Sequence, residues 1–255
     1  MIANYHSHTV RCRHASGTEE EYVRSAIDGG MRIFGFSDHT PYRFPGDYYS
    51  TFRMFPEELD DYCGTVLELK KRFASQLQIH LGVEVEYYPA LFSELVAWLR
   101  DTPVEYMLLG QHALDNEMGA HFSGWPTADE ALLERYCDQV IEAMYTGLFT
   151  YLAHPDVIKY QGEDAIYRKH MRRLCRAAKA CDLPLEINFV GIRQKRNYPD
   201  VRFWEMAAEE GCKTVLGCDA HCAADAYDRA SELQAMQIVE RFELELLETV
   251  PLRPI

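Results

Sequence analysis

His6 and His8 stand one residue apart, just behind a short apolar run at residues 2–5 that reads as a buried strand. In extended backbone, residues i and i+2 point to the same face, so both imidazoles can converge on one ion. On a helix the same spacing would turn them apart. An isolated pair of this kind is more often two surface side chains. Here, however, the same chemistry recurs at the end of nearly every later apolar segment: His39, Glu84, His112, His154, Asp219 and His221, with His14 in the first loop. Seven of the ten histidines fall in this set. Packing does not account for so many, because each buried imidazole needs a hydrogen-bond partner. His80, His121 and His170 fit ordinary places: a strand, a loop and a helix surface. Imidazole mixed with carboxylate suits Zn²⁺, Fe²⁺ or Mn²⁺, and nine donors exceed what one ion can use. A bridging carboxylate would hold two or three cations close together, an arrangement that activates water and stabilises both oxygens in phosphoryl transfer.

The elements that must position these residues alternate along the chain. Strands are predicted at residues 2–5, 31–36, 78–83, 105–109, 149–153, 183–187 and 213–217. Helices are predicted at 19–28, 56–74, 89–101, 127–147, 164–180, 200–210 and 224–247. Thr18-Glu-Glu-Glu21 has the pattern of a capping box, and Gly29-Gly30 that of a helix stop. Residues 41–55, rich in Tyr and Phe, form a loop long enough to cover a site. A polar loop follows at 114–126. Regular βα alternation implies a parallel sheet with right-handed crossovers. The expected fold is a single α/β domain over 1–255, a distorted (β/α)7 TIM-like barrel with its site at the C-terminal ends of the strands. An open doubly wound sheet is the alternative.

The 255 residues suffice for such a barrel. A formal net charge of −14 and the absence of a basic run argue against nucleic acid as a partner. Small-molecule chemistry, with metals supplying positive charge locally, suits this balance better. The eight cysteines form no C-x-x-C pair and read as reduced thiols. The chain opens into a strand without a leader segment, and no apolar run approaches membrane-spanning length. The expected setting is therefore cytoplasmic, and the oligomeric state is left open.

His6-Ser7-His8, His14, Asp38-His39, Gly82-Val-Glu84, His112, His154-Pro155 and Asp219-Ala-His221, in that order at strand ends, resemble the PHP (polymerase and histidinol phosphatase) superfamily. The likeness is greatest to its monofunctional histidinol-phosphate phosphatases and spans essentially the whole chain. It implies a (β/α)7 barrel with three divalent transition metals (Zn, Mn or Fe). The first would take His6, His8, Glu84 and Asp219; the second would share Glu84 and add His112 and His154; the third would use His14, His39 and His221. Gly191-Ile-Arg193 resembles the family's glycine–arginine segment, so Arg193 is expected to clamp phosphate through paired hydrogen bonds.

The expected activity is phosphomonoester hydrolysis by a metal-bridged hydroxide, with Glu84, Asp219 and Arg193 as catalytic groups and L-histidinol phosphate as the substrate. Arg43 and Lys159 are further phosphate-binding candidates on site-facing loops. Asp115 and Glu117 are candidates for the substrate ammonium, although the segment 111–117 departs from the family's pattern. Other readings remain open: another phosphate ester such as a sugar phosphate, nucleotide or phosphotyrosine, or a non-catalytic metal-binding module. An amidohydrolase fits less well, because a carboxylate rather than a lysine stands at the bridging place.

Overall fold

Eight parallel strands pair in sequence order: β1 (Ala3–Asn4), β2 (Ile33–His39), β3 (Gln78–Val85), β4 (Tyr106–Leu109), β5 (Phe149–Leu152), β6 (Leu185–Asn188), β7 (Lys213–Gly217) and β8 (Glu245–Leu246). The structure is a computed structural model that describes residues 1–119 and 121–255. Ala120, inside the loop expected at 114–126, lies outside them. The crossovers are α1 (Glu19–Asp28), α2 (Leu59–Arg72), α3 (Pro89–Arg100), α4 (Glu130–Tyr145), α5 (Asp164–Ala180), the short α6 (Phe189–Arg193) with α7 (Val201–Glu209), and α8 (Arg229–Phe242). The predicted capping box is present: the Thr18 hydroxyl accepts from the Glu21 amide, and Glu21 accepts from the Thr18 amide.

The sheet curls until the extensions of β1 and β7 meet at their C-terminal ends. Ser7, beyond β1, bridges in parallel to Ala220, beyond β7, and the His8 amide donates to the Ala220 carbonyl at 2.9 Å. This closure brings the two ends of the chain's ligand series together. The strands sort their side chains by alternation. Leu81, Val83 and Val85 face the large core shared with the helices. Tyr5, Tyr106, Leu108, Tyr151 and Val215, from strands that are not all neighbours, pack together as a second core inside the curl. The Tyr106 hydroxyl donates to the Tyr5 carbonyl at 2.7 Å, so the buried phenol is satisfied.

Two expectations are corrected. Continuous helix was expected over 224–247, but a turn of 3₁₀ helix at Ala223–Ala226 precedes α8. Glu243 then adopts a left-handed φ of 50° and ends α8, after which β8 adds an eighth strand beside β7. The segment after β6, to which the sequence assigned no element, is helical from its first residue, because Asn188 caps it by accepting from the Val190 and Gly191 amides. Among the described residues no helix is long and apolar enough to cross a membrane.

Candidate metal centre and active site

Glu84 sits at the middle of the site because β3 extends two residues past the predicted end and pairs Glu84 with His39 of β2. Its carboxylate lies across Gly110, where a Cβ would come within 1.9 Å of Oε1. A side chain at position 110 would therefore displace it. Around Glu84 stand His6 Nε2 at 3.6 Å, His154 Nε2 at 2.9 Å and His112 Nε2 at 3.7 Å on the Oε1 side. His8 Nε2 at 3.6 Å and His39 Nδ1 at 3.1 Å stand on the Oε2 side. Asp219 Oδ1 lies 3.1 Å from His8 Nε2 and 3.6 Å from His6 Nε2. His221 and His14 approach each other at 2.9 Å through their Nε2 atoms, and with His39 they form a third group of converging donors. All nine residues expected from the sequence thus meet at one place.

The ring orientations are fixed from behind. His6 Nδ1 bonds Glu186 Oε1 at 2.8 Å, His8 Nδ1 bonds Asp38 Oδ1 at 3.4 Å and His112 Nδ1 bonds Glu86 Oε1 at 2.8 Å. His14 Nδ1 donates to the Cys12 carbonyl at 2.7 Å, and His221 Nδ1 to the Asp219 carbonyl at 3.1 Å. An oxygen acceptor at Nδ1 places the proton there and leaves the Nε2 lone pair facing inward, as metal-binding histidines require. Lone pairs as close as 3.2 Å, the His6–His8 Nε2 separation, repel unless positive charge lies between them. Glu84 Oε2 and Asp219 Oδ1 are buried and accept no hydrogen bond among the described residues.

The electrostatics agree. Burial opposes ionisation of Glu84 and Asp219, yet the surrounding imidazoles hold both well below the usual carboxylate range. Burial opposes charge on His6 and His8 as well, but Glu186, Asp219 and Asp38 raise them, His8 to about 9: the carboxylates draw positive charge to these rings, and a bound cation would replace the proton at Nε2. Burial and the neighbouring His8 lower His221 to about 3. Imidazole nitrogens with two ionised carboxylates fit divalent transition metals. His154 and Asp219 take positive φ values of 29° and 46°, backbone strain of the kind that collects at functional sites.

A cavity of about 360 Å³ opens onto this cluster. His14, His39, Glu84, His112, Asp219 and His221 form its floor, and Phe52, Phe122, Tyr198 and Arg196 are among its walls. The loop at 41–55 does cover the site, through Thr51 and Phe52. The substrate-binding candidates fare differently. Arg193 does not reach the cavity. Its Nη2 donates to the carbonyls of Cys218 (2.9 Å) and Asp219 (3.2 Å), and it pairs with Asp225 and Asp228. The guanidinium therefore holds the strained backbone that presents Asp219. Arg43 stacks 4.0 Å over Trp98, away from the cluster. Lys159 is held by its backbone to Ser123 and Thr127, outside the cavity. Asp115 is exposed and pairs with Arg135. Glu117 is buried against Arg53.

Sequence reasoning missed Arg196, Glu86 and Glu186 as site residues. A usable signal lay in the strands: Leu185-Glu186-Ile187-Asn188 alternates apolar with polar, although all four residues are buried. An acid on the inner face of a closed sheet needs a partner there.

A PHP domain family model matches residues 4–189. The chain belongs to the PHP domain family. A probable histidinol-phosphatase of Deinococcus radiodurans is 31% identical over 233 residues, covering 86% of each chain. One of Schizosaccharomyces pombe is 28% identical, over 87% of this chain and 81% of that protein. Among solved structures, the histidinol phosphate phosphatase of Lactococcus lactis, in complex with zinc, L-histidinol and phosphate, superposes with a TM-score of 0.75. It is 21% identical, with 98% of this chain and 96% of that one covered.

Proposed function

We propose that this protein is a metal-dependent phosphomonoesterase that hydrolyses L-histidinol phosphate to L-histidinol and phosphate. The observation that carries this reading is the set of inward-facing Nε2 atoms around Glu84 and Asp219, open to a cavity of about 360 Å³. The names of the Deinococcus and Schizosaccharomyces relatives support the choice of substrate. His6, His8, Glu84 and Asp219 would hold one metal, Glu84 with His112 and His154 a second, and His14, His39 and His221 a third; zinc, manganese or iron suits such donors. Divalent cations held there would lower the pKa of a bound water and neutralise charge on the phosphoryl oxygens.

The chain's own groups do the rest. Arg196 is exposed at the cavity wall, where its guanidinium touches the Gln194 amide oxygen and the Tyr198 hydroxyl. It has no carboxylate partner among the described residues, so it is free to meet phosphate oxygens; we assign it the role expected of Arg193. Phe52, Phe122 and Tyr198 give the organic half of the substrate aromatic walls that exclude water. An ammonium can rest on such faces through cation–π attraction, which replaces the roles expected of Asp115 and Glu117. Residues 1–255 act as one catalytic domain in this reading. The eight free thiols support a reducing, cytoplasmic setting. Phosphate release from L-histidinol phosphate, a sugar phosphate, a nucleotide and an aryl phosphate, compared on metal-loaded protein, tests the reading. A clear preference for the first supports it, and equal rates on all four reduce it to a general phosphatase.

A further inference from the structure

Arg53 is 1% exposed, an unusual position for a guanidinium. It belongs to the loop over the site, yet its fork points inward and is fully used. Nε donates to Glu117 Oε1 at 2.7 Å, Nη1 to the Thr40 carbonyl at 2.7 Å and Nη2 to Glu86 Oε2 at 2.9 Å. The other oxygen of Glu86 holds His112 Nδ1 at 2.8 Å. Glu117 lies in the second loop, which also supplies Phe122 to the cavity wall. Its carboxylate is reached by the hydroxyls of Tyr48 at 3.4 Å and Tyr88 at 3.5 Å as well. The guanidinium lies 4.7 Å from the ring centroid of Phe52, its neighbour in sequence and another aromatic wall.

Two loops, the end of β3 and one histidine of the cluster therefore share a single cation. We infer that Arg53 is a positioning residue that locks both loops to His112, so that the aromatic walls and this donor are set as one unit. Removing it would leave two buried carboxylates without their counter-ion. Glu86 would then turn away from His112, or draw in water, and both loops would loosen together. Lysine preserves the charge but not the three-way fork, since an ammonium cannot present paired parallel donors in a fixed plane.

The inference rests on the phosphatase reading only where turnover is measured, so the test includes readouts that do not depend on it. Arg53→Lys, His112→Ala and the double variant are loaded with Zn²⁺, and each is checked for fold by circular dichroism. Zinc affinity, the rate of proteolytic cleavage within 41–55 and 113–126, and hydrolysis of 4-nitrophenyl phosphate at saturating zinc are then compared. Arg53→Lys should weaken zinc binding about tenfold, in line with losing the support behind a ligand. It should also speed cleavage of both loops in parallel and lower kcat. The double variant should bind zinc no more weakly than His112→Ala alone, because Arg53 acts through His112. Additive losses, or cleavage of one loop without the other, would overturn the inference, as would a folded Arg53→Lys protein with unchanged affinity and kcat. Should Arg53→Lys fail to fold, Glu117→Gln cuts only the second loop's tie to the guanidinium: cleavage within 113–126 should speed while zinc affinity holds, and unchanged cleavage there would overturn the inference. If wild-type protein hydrolyses no ester, the functional reading fails, while zinc affinity and cleavage still decide the role of Arg53.

Discussion

His6 Nδ1 lies 2.8 Å from Glu186 Oε1, a buried contact between residues 180 positions apart. The same carboxylate accepts the His154 amide at 3.0 Å and the Asn188 side-chain amide at 2.8 Å through its other oxygen. Gly217 leaves it room, since a Cβ there would fall 1.7 Å from Oε1. One acid thus orients a donor just beyond β1 and the backbone of another beyond β5. Glu186→Gln keeps the shape but can present an N–H to His6 and release its tautomer. Metal affinity should fall 10- to 100-fold with little change in fold, which equilibrium dialysis against zinc would measure. Unchanged affinity would reduce Glu186 to packing.

Arg193 and Arg196 should separate by phenotype. Arg196→Ala should raise KM for phosphate esters and weaken inhibition by inorganic phosphate while metal content stays normal. The loss should be about 1–2 kcal/mol, the range for a charge-assisted contact at a solvated wall. Arg193→Ala should instead lower stability and metal content, because it frees the backbone under Asp219. Inhibition constants for phosphate and elemental analysis of the two variants distinguish the roles, and the reverse pattern would restore Arg193 as the clamp.

Asp156 gives the fold a pH signature. It is buried, its Oδ2 accepts the Asp200 amide at 2.5 Å, and burial pushes its carboxyl up to about 7. The folded state therefore holds this proton more tightly than the unfolded chain, where an aspartic acid titrates near 3.9. The resulting stability is present below that pH and is lost as pH rises to about 7. Asp156→Asn keeps an acceptor and removes the titration. Its stability relative to wild type should improve from pH 4 to pH 8 by on the order of 4 kcal/mol at most, read from urea midpoints at the two pH values. A difference that does not vary with pH would contradict the assignment.

Metal removal should destabilise as well as inactivate. Donors crowded as closely as His14 and His221, 2.9 Å apart, gain from any cation between them. A ligand that binds only the folded state at 100 times its Kd adds about 2.7 kcal/mol. Tm should accordingly rise with zinc concentration after dialysis against chelator, and a flat Tm would argue against a preformed site.

Much of this site was legible in the sequence because its geometry follows from period-two spacing and strand order. His6 and His8 share a face by that rule, and Glu84 and His39 come together once β2 and β3 pair in parallel register. What stayed hidden depends on partners distant in sequence. Nothing near Glu117 predicts that Arg53, 64 residues earlier, buries against it, and nothing near Arg193 predicts the carbonyls of Cys218 and Asp219. Loop charges were therefore read as free when they are already paired. α6, five residues long, and β8, two residues long, are too short to display a periodicity.

The central claim is that phosphate ester hydrolysis depends on several cations gathered around Glu84. Its most direct test is a titration of chelator-stripped protein with zinc or manganese, following phosphate release from L-histidinol phosphate against metal equivalents per chain. Release should be absent at zero equivalents, should keep rising beyond one, and should not recover at any loading for Glu84→Ala. Release by metal-free protein, saturation at a single equivalent, or full activity of Glu84→Ala would contradict it.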